Sequence, residues 1–226
     1  MNDTARAEDL LAQVGALDPD SPTRSIVTHG AVIVLNGDRA WKLKRPVRLR
    51  YFDFSTPERR RAALDAELRL NRRFAPGLYI AVHAIHRATD GSLSFDGAGE
   101  IVDHVLEMTR FDDDALMVNY AHPGGLDDDL LQRLAMRVVE LHQGSEISAD
   151  SHGAQRLQEV VDGNLASMAV FPEIIEPVVA QNLTDRITAL ITESRDLLDA
   201  RARGGRVRHC HGDLHLGNVA IIDGEP

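Results

Sequence analysis

The sequence predicts an α+β fold in which a strand-rich first part precedes a mostly helical second part. Short β-branched runs alternate with tight-turn residues across residues 24–108, and a long helical pattern interrupts them at residues 55–77. From residue 109 onward, apolar residues recur at helical spacing. We therefore expect two lobes. Residues 1–108 would form a five-stranded antiparallel sheet with one helix inserted after the third strand, and residues 109–226 an incomplete helical lobe.

The first strands are defined by a turn signal and by alternation. The run "AVIVL" is apolar and β-branched, and the "NGD" that follows it is a tight-hairpin signal, because Asn and Gly tolerate positive φ angles. The next run, "RAWKLK", alternates in polarity. Successive side chains of a strand point to opposite faces. One face should therefore carry Trp41 and Leu43, and the other Ala40, Lys42 and Lys44.

Two helices belong to this first part. A short amphipathic helix in the first twenty residues places Leu10 and Leu11 on its apolar face. The inserted helix can begin at Ser55 or Thr56, whose side chains suit a helix N-cap. Glu67 falls on the apolar face of that helix, and a carboxylate in such a place requires a partner.

Composition and charge narrow the class of protein. The net charge of −10 argues against nucleic acid as a partner, because phosphate binding needs a basic surface. The same net negative charge suits a cationic substrate, although many proteins carry such a charge for solubility alone. One cysteine, Cys210, excludes an internal disulfide. The N-terminus lacks a signal-peptide pattern, and no apolar run approaches the roughly 18 residues of a spanning helix. We expect a cytoplasmic protein without membrane contact.

The stretch "HCHGDLHLGN" concentrates the chemistry-bearing residues of the second part. Its His209, His211, Asp213 and His215 recur with a period of two. One interpretation is a zinc site, but such sites need further ligands from distant segments, and no such spacing surrounds the other histidines. A second interpretation is a purely structural histidine-rich strand. It explains neither the Gly-Asp pair nor Asn218.

The third interpretation is phosphoryl transfer. This chemistry needs a carboxylate that positions the acceptor hydroxyl and takes its proton, and a side-chain oxygen on the magnesium of the nucleotide. Asp213 and Asn218 stand five residues apart, which is the separation of Asp and Asn in the kinase catalytic-loop pattern.

The sequence "HGDLHLGN" resembles the catalytic loop of the aminoglycoside phosphotransferase and choline kinase group, whose fold is similar to that of protein kinases. That group has a small lobe of five strands and one helix, then a mostly helical lobe that contains the loop. The resemblance implies an enzyme, an ATP-dependent phosphotransferase that uses Mg²⁺ and moves the γ-phosphoryl group to a hydroxyl of a small molecule. It further implies that Asp213 is the base and Asn218 a magnesium ligand, that His211 shapes the loop, and that His215 helps to hold Asp213.

The resemblance also assigns residues in the first lobe. Lys42 would bind the α- and β-phosphates, with Ala40 two residues earlier against the adenine. Glu67 would be the partner of Lys42, and Lys44, on the same face, is the fallback lysine.

Three further positions follow from the same likeness. The backbone of Glu107 and Met108 would meet the adenine edge. The first hairpin, whose one glycine is Gly30, would lie over the phosphates.

A longer stretch, "AWKLKRPVRLRYFDFSTPERRRAALDAELRLNRR", is similar to one branch of the group. This branch comprises uncharacterised bacterial phosphotransferase-like proteins that often carry a second, P-loop kinase domain. No P-loop motif occurs in this chain, so such a domain is expected only as a fused or separate partner.

The chain departs from the kinase pattern at its end. Kinases carry a second magnesium ligand, an Asp, on the strand after the catalytic-loop hairpin. Here Asp223 lies in a turn, too early for that role, and the sequence stops at Pro226. We therefore expect a fragment or a natural truncation with weak activity or none. The alternative function is a non-catalytic, nucleotide-binding regulatory module of the pseudokinase kind.

Overall fold

The computed structural model describes residues 2–49 and 51–226, and these residues form an α+β fold. The described part of the chain contains six strands and six helices. The strands are β1 Thr23–Val27, β2 Ala31–Asn36, β3 Arg39–Lys44, β4 Tyr79–Arg87, β5 Leu93–Phe95 and β6 Glu100–Thr109. The helices are α1 Asp3–Gln13, α2 Pro57–Phe74, α3 Asp128–Gly144, α4 Gly153–Met168, α5 Pro177–Glu193 and α6 Arg195–Arg203.

The six strands form one antiparallel sheet in the order β1-β2-β3-β6-β4-β5. The prediction of five strands is wrong, because the sheet of the described residues has six. Gly91 adopts a φ angle of 86°, which reverses the chain after β4. Leu93–Phe95 can then pair with the end of β4, Ile85–Arg87. The helix inserted after the third strand is α2, as the sequence predicts.

Helix α1 covers one face of the sheet. Its Leu10 and Leu11 are buried there, as the helical pattern predicts. They belong to a core cluster that also contains Trp41 and Leu43 of β3, so the predicted alternation of β3 is confirmed. The opposite face of β3 therefore carries the two lysines, and burial of Trp41 and Leu43 fixes that register.

Helix α2 packs against β4 and β6. Thr56 is its N-cap and accepts a hydrogen bond from the backbone N–H of Arg59, while Pro57 occupies the first turn. Leu64 is fully buried and anchors the helix, although the sequence pattern does not single it out.

A buried ion network joins α1, α2 and β6. The carboxylate of Asp103, which has no exposed surface, accepts from Arg60 Nε at 2.7 Å and from an Arg6 amino group at 2.5 Å. Its Oδ1 atom also accepts from the backbone N–H of His104 at 2.9 Å. Arg60 in turn donates to the carbonyl oxygen of Phe54 at 3.0 Å. The network therefore holds the start of α2 and the segment before it in place.

The chain divides into two compact units, which differ from the predicted lobes. The first comprises the residues up to 139 together with 213–226, and the second comprises Glu140–Gly212. In the second unit, α4, α5 and α6 pack around Ala154, Val161 and Ile191. The assignment of residues 1–108 and 109–226 to two lobes stays a prediction.

The helices of the second unit depart from the sequence pattern at two points. The helical pattern across residues 182–205 is broken at Ser194, which ends α5 and precedes α6. Helix α4 was not singled out in the sequence. Within the described residues, no helix is both long enough and apolar enough to cross a membrane.

Replacement of Asp103 by Ala should destabilise the fold, because Arg60 would keep a buried charge without its carboxylate. We expect a loss of about 3–5 kcal/mol in the free energy of unfolding, measured by urea denaturation. Asp65→Ala is the matched control, since Asp65 forms a half-exposed ion pair with Arg61 on the same helix. It should cost about 0.5 kcal/mol or less. Equal losses in the two variants would contradict a structural role for the Asp103 network.

Candidate functional site

Strand β3 presents two lysines on the face of the sheet that α2 approaches. In register, Lys42 lies opposite Ile33 of β2 and Leu106 of β6. Lys44 lies two residues further along and points to the same face. Both ammonium groups are largely sheltered, with exposed side-chain fractions of 22% for Lys42 and 13% for Lys44.

Glu67 of α2 binds both lysines. Its Oε1 atom accepts from Lys42 Nζ at 2.5 Å and its Oε2 atom accepts from Lys44 Nζ at 2.7 Å. The exposed fraction of the Glu67 side chain is 14%. The pairing of Lys42 with Glu67 agrees with the expectation from sequence, and Lys44 is a second partner rather than a substitute. We call Lys42, Lys44 and Glu67 the Glu67 clamp.

The clamp alters the acidity of its members. Burial raises the pKa of Glu67, but the charges of Lys42 and Lys44 and their hydrogen bonds outweigh it, so the pKa of Glu67 is lowered overall. Burial also lowers the pKa of Lys44, and the charge of Lys42 adds to this effect, while Glu67 opposes it. The clamp is thus an ionic cluster that holds more positive charge than one carboxylate balances.

Ala40 and Met108 lie beside each other at the other end of the same face. They are direct partners in the pairing of β3 with β6, and Ala40 is buried. The order Ala40, Lys42, Lys44 along the strand therefore runs from Met108 toward the clamp. The roles expected for Ala40 and Met108 at an adenine stay predictions.

Glu107 directs its side chain to the opposite face of the sheet. Its carboxylate accepts from Arg39 Nε at 2.9 Å and lies 3.0 Å from His83 Nε2. At this position β6 is flanked on both sides, by Trp41 of β3 and by Ala81 of β4. The backbone of Glu107 is thus inside the sheet, and its expected contact with adenine stays a prediction.

Gly30 closes the first hairpin beneath an aromatic segment, residues 51–54. A Cβ atom built on Gly30 would lie 3.0 Å from Cζ of Phe52, so a larger residue there would displace that ring. Phe52 stacks on Phe54 with ring centroids 4.3 Å apart, and Lys44 Nζ lies 5.3 Å from the Phe54 centroid. Sequence reasoning gave this segment no role, and its signal is the three aromatic residues of "RYFDF" within a basic stretch.

The loop that holds Asp213 and Asn218 is anchored at its C-terminal end. Val219 is buried beside Met117 and Leu130, and its carbonyl oxygen accepts from the backbone N–H of Met117 at 2.8 Å. Ile221 N–H donates to the carbonyl oxygen of Ala115 at 2.7 Å. The loop thus belongs to the first compact unit, which also contains the clamp.

Asn218 is fixed in one orientation by its amide nitrogen. This nitrogen donates to the backbone carbonyl oxygen of Asp213 at 2.8 Å and lies 3.3 Å from Asp213 Oδ2 and 3.0 Å from His215 Nε2. His215 Nδ1 accepts from the backbone N–H of Gly217 at 3.1 Å. Because the nitrogen of the amide is held inside the loop, its Oδ1 atom is the atom turned away from Asp213. Asp213 remains 79% exposed.

The histidines of the loop play different parts. His215 Nε2 is 3.9 Å from Asp213 Oδ2, which is beyond hydrogen-bond distance, so His215 contacts Asn218 more closely than Asp213. His211 is half-buried at the end of the second unit. Its expected part in shaping the loop stays a prediction.

The loop offers oxygen ligands of the kind that Mg²⁺ prefers. A carboxylate and an amide oxygen suit this hard cation, which usually keeps several waters and takes further ligands from phosphates. The Oδ1 atom of Asn218, the expected magnesium ligand, is thus of a suitable chemical kind, and its role stays a prediction. Asp223 sits with Gly224 in a tight turn, with φ angles of 53° and 81°, as the sequence predicts. In residues 2–49 and 51–226, no group of three or more His, Cys, Asp or Glu is placed to hold a metal ion.

Two acidic stretches, residues 112–114 and 127–129, could attract a cation, and several of their carboxylates have local partners. Asp113 pairs with Arg24, and Asp129 pairs with Arg133. Asp127 accepts from the backbone N–H of Leu130 at the start of α3.

Comparison with other proteins finds relatives without an assigned activity. Uncharacterised proteins from Mycobacterium bovis and from two strains of Mycobacterium tuberculosis are each 30% identical to this chain over 210 residues. The matched region covers 88% of this chain but 39% of each relative, so the chain spans about two fifths of the length of the curated relatives it matches. No protein-family profile and no solved structure matches the chain.

Replacement of Glu67 by Gln keeps the shape of the side chain and removes the charge that the two ammonium groups share. We expect a loss of about 1.5–3 kcal/mol in the free energy of unfolding at neutral pH, measured by urea denaturation. The lysines lower the pKa of folded Glu67, so its contribution is present above the unfolded pKa and disappears as the pH falls through the folded pKa.

The stabilities of the wild type and Glu67→Gln should therefore converge in acid. Glu159→Gln is the matched control, because Glu159 is exposed on α4, and it should change stability little at any pH. A difference between wild type and Glu67→Gln that stays constant as the pH falls would contradict the ionic account of the clamp.

Proposed function

We propose that this chain carries the nucleotide-binding face and the catalytic loop of an ATP-dependent phosphotransferase, similar to the aminoglycoside phosphotransferase and choline kinase group. The observation that carries the proposal is the pairing of two separate features within one compact unit. One is a strand lysine held by a helix glutamate, Lys42 and Glu67. The other is a loop in which Asn218 is tied to the carbonyl oxygen of Asp213. Kinases of the protein-kinase-like fold use both.

The first feature suits a nucleotide polyphosphate. An ammonium held by a helix glutamate on the third strand is the arrangement that kinases use to grip the α- and β-phosphates. On the same face, Ala40 is a small residue that pairs with Met108, and a flat base would suit such a neighbour. The clamp faces α2, while the core cluster under α1 fills the opposite face. The sheet thus separates a packing face from a ligand face.

The second feature suits proton transfer to an exposed carboxylate. In the proposed reaction the oxygen of an acceptor hydroxyl attacks the γ-phosphorus, and the bond from that phosphorus to the β,γ-bridging oxygen breaks. Asp213 takes the hydroxyl proton, and ADP leaves with the bridging oxygen. Asn218 would contribute Oδ1 to a magnesium ion. This ion would neutralise charge on the phosphates.

The acceptor is a small molecule with a hydroxyl group, and this class follows from the resemblance alone. A P-loop kinase domain elsewhere in the longer protein is also proposed from the resemblance. The length of the mycobacterial relatives leaves room for it.

Asp213→Asn should abolish phosphoryl transfer in the full-length protein while leaving nucleotide binding intact. Loss of a general base lowers kcat by about a hundred- to ten-thousand-fold. The measurement is Mg²⁺-dependent release of ADP with sugar, amino-alcohol and aminoglycoside acceptors. Asp223→Asn is the matched control, because Asn tolerates the positive φ angle of that turn, and it should keep the wild-type rate.

Two outcomes would change the proposal. Binding of MgATP by the wild type without turnover on any acceptor would favour the non-catalytic, nucleotide-binding module. Failure of the wild type to bind MgATP at all would refute both functions.

A further inference from the structure

Lysine is used in one place only in this chain. Lys42 and Lys44 are the only two lysines among its 226 residues, and every other residue counted as cationic is an arginine. Both lysines stand on the same face of β3 and both pair with the same carboxylate, that of Glu67. A chain that otherwise uses arginine throughout thus keeps lysine at two positions that share one partner.

The chemistry of the two cations explains the choice. A guanidinium tends to occupy both oxygens of a carboxylate with parallel hydrogen bonds, so a single arginine would use all of Glu67. An ammonium is a compact point charge with three donors. Lys42 and Lys44 each donate one hydrogen bond to one oxygen of Glu67, so each ammonium group has further N–H donors.

The charge of the clamp is not balanced by its own members. Two ammonium groups face one carboxylate, and the three side chains are mostly sheltered from water. The electrostatic partners of Lys44 are Glu67 and Lys42, and those of Glu67 are the two lysines. The neighbouring Tyr79 hydroxyl is neutral, because burial raises its pKa further, and it accepts from Asn71 at 3.1 Å. An anion bound beside the clamp would balance this charge.

The aromatic segment links Lys44 to the hairpin tip. The ring of Phe54 lies beside Lys44, Phe52 stacks on Phe54, and Gly30 lies under Phe52. Arg45 adds a second link, since it donates to the carbonyl oxygens of Thr28 and His29 at 3.0 and 3.2 Å. Lys44 is therefore held on one side by Glu67 and on another by a ring in contact with the hairpin that precedes β2.

We propose that Lys44 is a second phosphate-binding residue, so that Lys42 and Lys44 together bind two linked phosphoryl groups of one ligand while Glu67 spaces the two ammonium groups. Lys42 and Lys44 are alternate residues of the strand, whose Cα atoms are roughly 6.5–7 Å apart, and their ammonium groups bind the two oxygens of one carboxylate. Two cations held side by side in this way suit two neighbouring phosphoryl groups of one ligand. The choice of ATP as the ligand rests on the proposed function. The choice of a diphosphate as its binding unit rests on the clamp alone.

The first test measures binding by the wild-type chain and uses variants only to assign the signals. Protein labelled with ¹³C and ¹⁵N only in lysine gives side-chain NMR signals from Lys42 and Lys44 alone, which Lys42→Arg and Lys44→Arg assign. Titration with inorganic pyrophosphate should shift both signals with one common dissociation constant. The pKa of Lys44 should rise on binding, because the anion offsets burial and the charge of Lys42. Movement of one signal only, of neither, or an unchanged pKa of Lys44 would overturn the proposal.

The second test separates phosphate binding from a structural role. Lys44→Met should weaken MgADP binding about ten- to one-hundred-fold, which corresponds to loss of one charged hydrogen bond, and should leave adenosine binding unchanged. Arg87→Met, at an exposed cation on the end of β4, is the control and should alter neither affinity. Equal weakening of ADP and adenosine binding by Lys44→Met would mean that Lys44 only supports the fold, and would refute the inference.

The two tests also separate this inference from the proposed function. Pyrophosphate binding by both lysines in a protein without ATP turnover would retain the inference and reject the phosphotransferase. A protein whose turnover requires Asp213, but whose affinity for ADP is unchanged by Lys44→Met, would retain the phosphotransferase and reject the inference.

Discussion

The proposed ligand face of the sheet, which carries Lys42 and Lys44, depends on one contact. This contact is the bridge that Glu67 makes between α2 and β3. A carboxylate on the packed side of a helix costs free energy unless it is paired, and here two ammonium groups pair with it. The bridge needs the register of β3, which burial of Trp41 and Leu43 on the opposite face maintains. It also needs the position of α2, whose start the Asp103 network secures. Packing on one face of the sheet thus supports the clamp on the other.

Several features of this arrangement can be read from the sequence because they follow from local rules. Alternation in "RAWKLK" separates Lys42 from Trp41, and the helical spacing of α2 marks Glu67 as a buried charge that needs a partner. Their pairing is then the simplest solution. Asp213 and Asn218 are recognisable from their spacing, and the turn at Asp223 from its Asp-Gly pair.

Other features depend on contacts between distant segments, which spacing does not encode. The sequence places Lys42 and Lys44 on one face but does not show that Glu67 reaches both. Phe52 stacks on Phe54 and lies against Gly30 of the first hairpin, and no local sequence pattern predicts these contacts. The amide of Asn218 is oriented by the carbonyl oxygen of Asp213, a contact that exists only in the folded loop.

The central claim is that the two lysines lie beside the phosphates of a bound nucleotide, and labelling with an acyl phosphate of ATP tests it most directly. Such a reagent transfers its acyl group to an amine next to the bound phosphates and releases ATP. The chain has only two lysine amines, so peptide mass spectrometry gives an unambiguous result. The account predicts acylation of Lys42 or Lys44 that an excess of ATP prevents. Acylation confined to the α-amino group, or lysine acylation that ATP does not suppress, would contradict it.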